Sequence, residues 1–486
     1  MADDFSLGID ASFADASSRR RRRPVRKPKP VAPEPPLVLD EPEVEADEDP
    51  ISARIINAFL VLQFLGGALL FLPGAQLFRG PVRALPYLSA LVPLGYYLSR
   101  RERTSKPVAA GLVTVSLLLL ALNLLHPSTQ LGAGIAQCIF QLAIAAPVFW
   151  APSAVRSPRA MHRVLMLIFL FNVAGAVVGI LQVYDPDRFL PAQFSAQLRD
   201  DFLLSLSYTG SDGRVLTRPP GLSDVPGGAA VAGGLSAAIG LCLLFRTRNP
   251  LQAAGLLVAI GIGFAVIYLT QVRSILLMTV GSTAVIIALT LRRRQFTRVA
   301  GLLGVGGALL MASFLWASSL GGEAVDSRFL NLRGQGALTV YQQERGNFIA
   351  YTVGDLLDQY PFGAGLGRWG MMNAYFGDPY AYQSEPIHAE IQLTGWLLDG
   401  GFFMWFLYGG AIITALLMVF RLAGRRRDRD LGEAAVCVGA ATVFVVGMSF
   451  AGPAFNTQLG VLFWFLVGAL HGAEGTPWTR DPFAES

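Results

Sequence analysis

The sequence predicts an all-α polytopic membrane protein of about twelve transmembrane helices, with one large polar loop on one side of the bilayer. Three observations carry that expectation. The chain is 53% hydrophobic and only 15% charged, with a mean hydropathy of +0.47, where a soluble domain of this length carries more charge. Apolar runs of about 17–25 residues recur along it, and a helix is the element that satisfies its own backbone groups in lipid. The basic residues gather in alternate short linkers, which is a topology signal and not a nucleic-acid footprint, so the formal charge of +5 implies no nucleic-acid partner.

Residues 1–50 have no helical period. A basic block, Arg19–Arg23 with Arg26, Lys27 and Lys29, runs into a proline-rich and then acidic stretch that cannot bury a core, so this tail is expected to be disordered and cytoplasmic. No short apolar region with a small-residue cleavage site follows the basic block directly, so it does not read as a cleavable signal peptide.

The apolar runs then place helices near 54–73, 84–99, 107–125, 131–150, 163–183, 228–245, 251–269, 274–291, 299–320, 396–420, 431–451 and 456–472. Nine spans thus fall in 51–320 and three in 396–472, followed by a short tail at 473–486 that is expected to be cytoplasmic. The first pair is the most broken, by Pro73, Pro86 and Pro93. With the N-terminus inside, the inner linkers hold Arg100, Arg101, Arg103 and Lys106; Arg156, Arg159 and Arg163; Arg246 and Arg248; Arg292, Arg293, Arg294 and Arg298; and Arg421, Arg425, Arg426, Arg427 and Arg429. The short outer linkers are poorer in charge, and this alternation puts both termini in the cytoplasm.

Two outer segments are long. One, about 184–227, ends in Arg218-Pro219-Pro220-Gly221-Leu222 and Asp224. The other, 321–395, holds most of the polar matter. Its middle, about 338–360, reads as an amphipathic helix at the membrane surface with Leu338, Tyr341, Phe348, Val353, Leu356 and Leu357 on its apolar side. Pro361 and the glycines of Gly363-Ala364-Gly365-Leu366-Gly367 end it. That stretch lacks the Gly-Lys-Ser/Thr of a P-loop and reads as a tight turn.

The outer cations are all arginine: Arg218, Arg273, Arg328, Arg345 and Arg368, while Lys27, Lys29 and Lys106 lie inside. A guanidinium binds phosphate oxygens through paired hydrogen bonds and stays charged at any working pH, so such a set can grip the phosphates of a lipid-linked substrate; solvated surface or lipid head groups are the alternatives. Arg273 opens a span straight after an apolar run, where a charge is expensive without a partner.

His388 is the one histidine in the long loop, and a neutral imidazole accepts a proton from a sugar hydroxyl. Glu385, Glu390 and Asp399 lie near enough in sequence to orient the ring or an acceptor sugar; solvated or helix-end positions are the alternatives. There is no H-E-x-x-H and no paired His/Cys set, and Cys138, Cys242 and Cys437 fall inside apolar runs, so no metal site, disulfide or cofactor is expected.

Together these stretches resemble the O-antigen ligase and O-antigen polymerase family of bacterial membrane glycosyltransferases. The resemblance rests on Arg273-Ser274; on Arg345 followed by an amphipathic run into Pro361-Phe362-Gly363-Ala364-Gly365-Leu366-Gly367; on His388 followed by Gln392, Leu397, Leu398, Asp399 and Gly400-Gly401; and on Pro220-Gly221-Leu222-Ser223-Asp224-Val225-Pro226 before the sixth span. The family usually carries Asn after the histidine; here that position is Ala389.

The resemblance implies a C-type glycosyltransferase fold in the bacterial inner membrane, with a metal-independent active site facing the periplasm. The donor is then a glycan on undecaprenyl diphosphate, and the acceptor a second lipid-linked glycan, a lipid A-core sugar or, less often, a protein hydroxyl, in surface polysaccharide, exopolysaccharide or lipopolysaccharide biosynthesis. His388 is expected to be the base, Arg273, Arg345, Arg218 and Arg328 to hold the donor diphosphate, and Glu390, Glu385 and Asp399 to support the acceptor side. The alternative reading of so many spans is a secondary transporter or a flippase for lipid-linked glycans.

Overall fold

The computed structural model describes residues 49–475 except 73, 101–103, 191–206, 210–214, 224, 226, 323–324, 327–328, 330–335, 337–338, 340, 379–385 and 426–427. The N-terminal tail, Arg328 and Glu385 therefore lie outside the described residues, as does the end of the C-terminal tail.

A helix stands at each predicted apolar run: α1 (Pro50–Leu65), α2 (Arg79–Ser99), α3 (Val108–Leu122), α4 (Leu131–Ala154), α5 (Pro158–Tyr184), α6 (Gly228–Leu244), α7 (Pro250–Thr270), α8 (Arg273–Arg292), α9 (Phe296–Gly321), α10 (Gln392–Ala423), α11 (Arg429–Met448) and α12 (Gln458–Ala473). Among the described residues eight of these regions, α3 to α5 and α7 to α11, are long and apolar enough to cross a membrane. α1, α6 and α12 are shorter apolar helices. α1 ends at Leu65 where the sequence suggested about 73, and two short 3-10 turns at Gly67–Phe71 and Ala75–Phe78 fill the gap. α10 starts four residues earlier than expected. The only strands among the described residues form a hairpin, β1 (Ser207–Thr209) against β2 (Val215–Thr217), antiparallel, in the first long segment.

α12 is apolar all round and is buried almost throughout, from Gly460 to Leu470. It packs against α4 and α11, and α11 in turn packs against α6, α8 and α10. Apolar burial against lipid-like surroundings brings little hydrophobic gain, so close approach of backbones and hydrogen bonds have to hold such a bundle. Gly233 shows the first device: a Cβ there would overlap Val266 of α7. The second appears where Gln63 and Ser89 both donate to the Pro86 carbonyl, tying α1 to α2, and where Trp464 Nε1 donates to Tyr408 Oη at 2.8 Å. α9 lies at the rim, with little of its length buried.

The basic linkers converge at one end of the bundle. Arg100 meets Asp49 at 3.6 Å, Arg246 meets Asp430 at 3.1 Å, Arg298 meets Glu433 at 2.7 Å, and Arg425 meets Glu474 at 2.6 Å. The long polar segments stand at the other end.

α10 is broken near its start. Gly400 and Gly401 leave helical geometry, and Gly401 has φ +64°, a conformation that suits a residue without Cβ. The turn after Pro361 fills the break: Ala364 N donates to Leu398 O at 2.8 Å and Phe402 N donates to Pro361 O at 3.0 Å. A Cβ on Gly401 would overlap the Pro361 carbonyl, so the glycine is required for this approach. The stretch read from sequence as a tight turn is thus a plug between α10 and the start of α4.

Candidate functional site

In the loop after α9 a helical run extends from Gln342 to Gln359. It alternates π turns (Gln342–Gly346 and Thr352–Leu356) with short α pieces (Asn347–Tyr351 and Leu357–Gln359). π turns place one extra residue in the turn and re-aim the side chains around it. The buried face is narrower than the sequence suggested: Thr352 and Leu356 are buried, while Val353 is exposed. Thr352 Oγ1 lies 2.6 Å from Thr394 Oγ1, which fastens the run to α10. Tyr341 Oη donates to Phe450 O at 3.3 Å, which fastens its start to the end of α11.

His388 sits on an extended segment pinned at both sides. Upstream, Ile387 N donates to Arg368 O at 2.8 Å. Downstream, Gln392 N donates to Ser449 O at 3.1 Å, while Gln392 Oε1 accepts from Phe455 N at 2.8 Å. The imidazole is thereby held four residues before α10, with 73% of its side chain exposed. Its ring centre stands 6.0 Å from that of Phe348 on the helical run.

Three predicted site residues come together here. His388 Nε2 lies 3.1 Å from Glu390 Oε2, and Glu390 Oε1 is held by Arg345 Nη1. The first π turn carries Arg345 to this position. A carboxylate facing Nε2 favours the hydrogen on that nitrogen and leaves the lone pair on Nδ1. The guanidinium behind Glu390 holds the carboxylate in place. The result is an exposed imidazole backed by a carboxylate, with a guanidinium, a group that binds oxyanions through paired hydrogen bonds, behind that carboxylate.

Arg273 and Arg218 stand on neighbouring elements at the same end. Arg273 heads α8 after a sharp turn at Gln271, which takes the left-handed conformation at φ 54°. One and a half turns into α8, Met278 packs on Gly447 near the end of α11, where Ser449 and Phe450 carry Gln392 and Tyr341. Arg218 precedes a Pro219-Pro220-Gly221 turn held by Gln182 of α5: Gly221 N donates to Gln182 Oε1 at 2.9 Å and Gln182 Nε2 donates to Gly221 O at 3.0 Å. Gly227, at the end of that segment, lies against Val272.

Asp399 does not join the cluster, contrary to the expectation that it orients the imidazole or an acceptor. It is fully buried, and its Oδ1 accepts from Gln137 Nε2 at 2.5 Å and Trp369 Nε1 at 2.6 Å. Its backbone carbonyl accepts from Asn123 Nδ2 at 2.7 Å, and Gln137 Oε1 accepts from Gly367 N at 2.8 Å. The reason is geometric. Asp399 lies at the break in α10, where the plug brings Trp369 inward, so the carboxylate serves as the knot of the plug. Arg368 is likewise structural: it is buried and donates to Ala364 O at 2.9 Å. Ala389 packs on the small apolar cluster of Ala364, Trp369 and Leu398, a place that suits alanine better than a polar side chain.

Gln137 and Trp369 escaped the sequence reading. Gln137 had a signal: with Gln141 it makes a polar pair four apart inside an apolar run, and both face inward, toward Asp399 and Asn456. Among the described residues no group of three or more His, Cys, Asp or Glu side chains is arranged to hold a metal ion. A scan against protein-family models and a search of curated proteins each give no match.

Proposed function

We propose that this chain is a metal-independent glycosyltransferase of the O-antigen ligase/polymerase kind, acting on an undecaprenyl-diphosphate-linked glycan at the periplasmic face of a bacterial inner membrane. The observation that carries the reading is the His388–Glu390–Arg345 chain at the polar end of the bundle. In the proposed step, Nδ1 of His388 takes the proton of an acceptor hydroxyl. The acceptor oxygen bonds to the anomeric carbon, and the bond from that carbon to the diphosphate breaks. The leaving diphosphate gains negative charge, which in this proposal Arg345 and Arg273 offset. The basic end then faces the cytoplasm, both termini lie inside, and all twelve helices span.

A second reading has one observation in its favour. A broken helix with a buried carboxylate beside the break is a feature of secondary transporters. Here the break is filled by the plug and Oδ1 of Asp399 takes two donors, while its buried Oδ2 has no hydrogen-bond partner among the described residues.

The test is deletion of the gene in its own host, with separate analysis of lipopolysaccharide and secreted polysaccharide. Loss of polymer with capped core intact identifies a polymerase; retained polymer with bare core identifies a ligase. Unchanged glycans in both fractions, with no turnover of lipid-linked donor by the purified protein, would overturn the proposal.

A further inference from the structure

The opposite, basic end carries a feature that glycan transfer does not use. A cavity of about 30 Å³ lies among α6, α8, α9 and α11, lined by Arg293, Arg298, Gln295, Thr290, Glu433 and Cys242 over an apolar floor. Arg293 is 91% buried, being 9% exposed. Its backbone closes the end of α8, but its guanidinium has no hydrogen bond or ion pair among the described residues. It packs instead on Gly432, where a Cβ would stand 3.0 Å from Nη2, so the glycine makes the room for it.

That position is costly as it stands. Gly432 belongs to the first turn of α11, whose N-terminus carries the positive end of the helix dipole. The acidic groups nearby are engaged: Asp428 caps α11, Asp430 pairs with Arg246, and one oxygen of Glu433 accepts from both Arg298 and Arg429. Three arginines thus surround one glutamate. Glu433 and Asp428 are the counter-charges that face Arg293, but Glu433 is shared with Arg298 and Arg429 and Asp428 caps α11, so the guanidinium suits an acceptor from outside the chain. The cavity admits only one or two water-sized groups, which suits the oxygens of a phosphate better than a whole head group. Basic pockets between helices at the cytoplasmic surface are suited to lipid phosphates.

We propose that this cavity binds a phosphate oxyanion, presented by an anionic phospholipid of the leaflet at the basic end, with Arg293 as its chief ligand and Arg298 and Gln295 beside it. The site stands apart from the transfer reaction, and its test does not depend on that reaction.

The full chain, purified in detergent, is exposed to phosphatidylglycerol or phosphatidylcholine and examined by native mass spectrometry. The wild type should keep one phosphatidylglycerol at concentrations about tenfold below those needed for phosphatidylcholine, and Arg293→Gln should lose that preference. A parallel arm adds millimolar inorganic phosphate and reads Tm. A rise in the wild type that is absent in Arg293→Gln, with displacement of phosphatidylglycerol, supports the same chemistry with a soluble source. Absence of that rise, with the lipid preference intact, supports the lipid source. A wild type that shows neither a preference for phosphatidylglycerol nor a response to phosphate overturns the proposal, whether or not Arg293→Gln folds. Equal behaviour of a folded Arg293→Gln overturns it as well.

Discussion

Glu390 stands between two residues that lie 43 positions apart in the chain: its Oε2 faces His388 Nε2 at 3.1 Å, and its Oε1 holds Arg345. The pairing defines which ring nitrogen is left for chemistry and which side chain sets it.

His388→Ala should lower turnover by about 10²–10⁴-fold with little change in donor affinity, the range for loss of a general base. Glu390→Gln should lower it less, since the ring remains. Steady-state kinetics of purified protein with lipid-linked donor checks this. A wild-type rate in His388→Ala would make the histidine structural.

Arg345 and Glu390 should act as a unit. In a double-mutant cycle of Arg345→Gln and Glu390→Gln, the double variant should lose less kcat/KM than the two singles combined, with a coupling of about 0.5–3 kcal/mol. Strict additivity would show that their contact has no catalytic consequence. Arg273→Lys, which keeps the charge and loses the paired donor geometry, should lose most activity at normal protein level. Full activity in both Arg273→Lys and Arg273→Ala would remove Arg273 from the site.

Orientation is open to a direct check. Asp378 is exposed, beside Gln130, whose Oε1 accepts from the Asp378 amide at 2.9 Å. In a cysteine-free background, Asp378→Cys should react with an impermeant maleimide in intact spheroplasts. Labelling that appears only after lysis would invert the proposed topology.

Asp399→Ala removes the acceptor for two buried donors, Gln137 Nε2 and Trp369 Nε1. It should cost about 1–3 kcal/mol for each donor left without a partner, seen as a lower Tm in detergent. Asp399→Asn keeps one acceptor oxygen and should lose much less. Equal loss in both variants would mean that the charge, and not the acceptor, is what the plug requires.

The sequence marked the helices well because each needs a long apolar run, and runs such as Val461–Leu470 admit no other reading. It marked the turn at Gly363–Gly367 because three glycines with positive φ suit one kind of backbone. It offered Glu390 as a partner for His388, but not Arg345 behind it, since a π turn and the pinning hydrogen bonds decide where Arg345 and His388 arrive. Asp399 was misread for a related reason. Eleven residues from His388, it looked like a neighbour, but the break at Gly400-Gly401 and the inward Trp369 turn it away from the loop and into the bundle. α2 runs on through Pro86 and Pro93, with Gln63 of α1 donating to the Pro86 carbonyl within it.

The plug also has a kinetic meaning. A catalytic loop that closes like a lid has to break and remake its attachments in every cycle. Here the stretch from Pro361 to Trp369 is buttoned into α10 through main-chain bonds at Ala364 and Phe402, and into α4 through Gln137. Lifting it would uncover those groups and the Asp399 knot together. The segment bearing His388 hangs from this same stretch through Arg368, so its position is inherited from the bundle core. In the proposed transfer, substrate and product exchange by sliding past a standing surface, and the rate should follow the fluidity of the surrounding lipid more closely than any hinge in the chain.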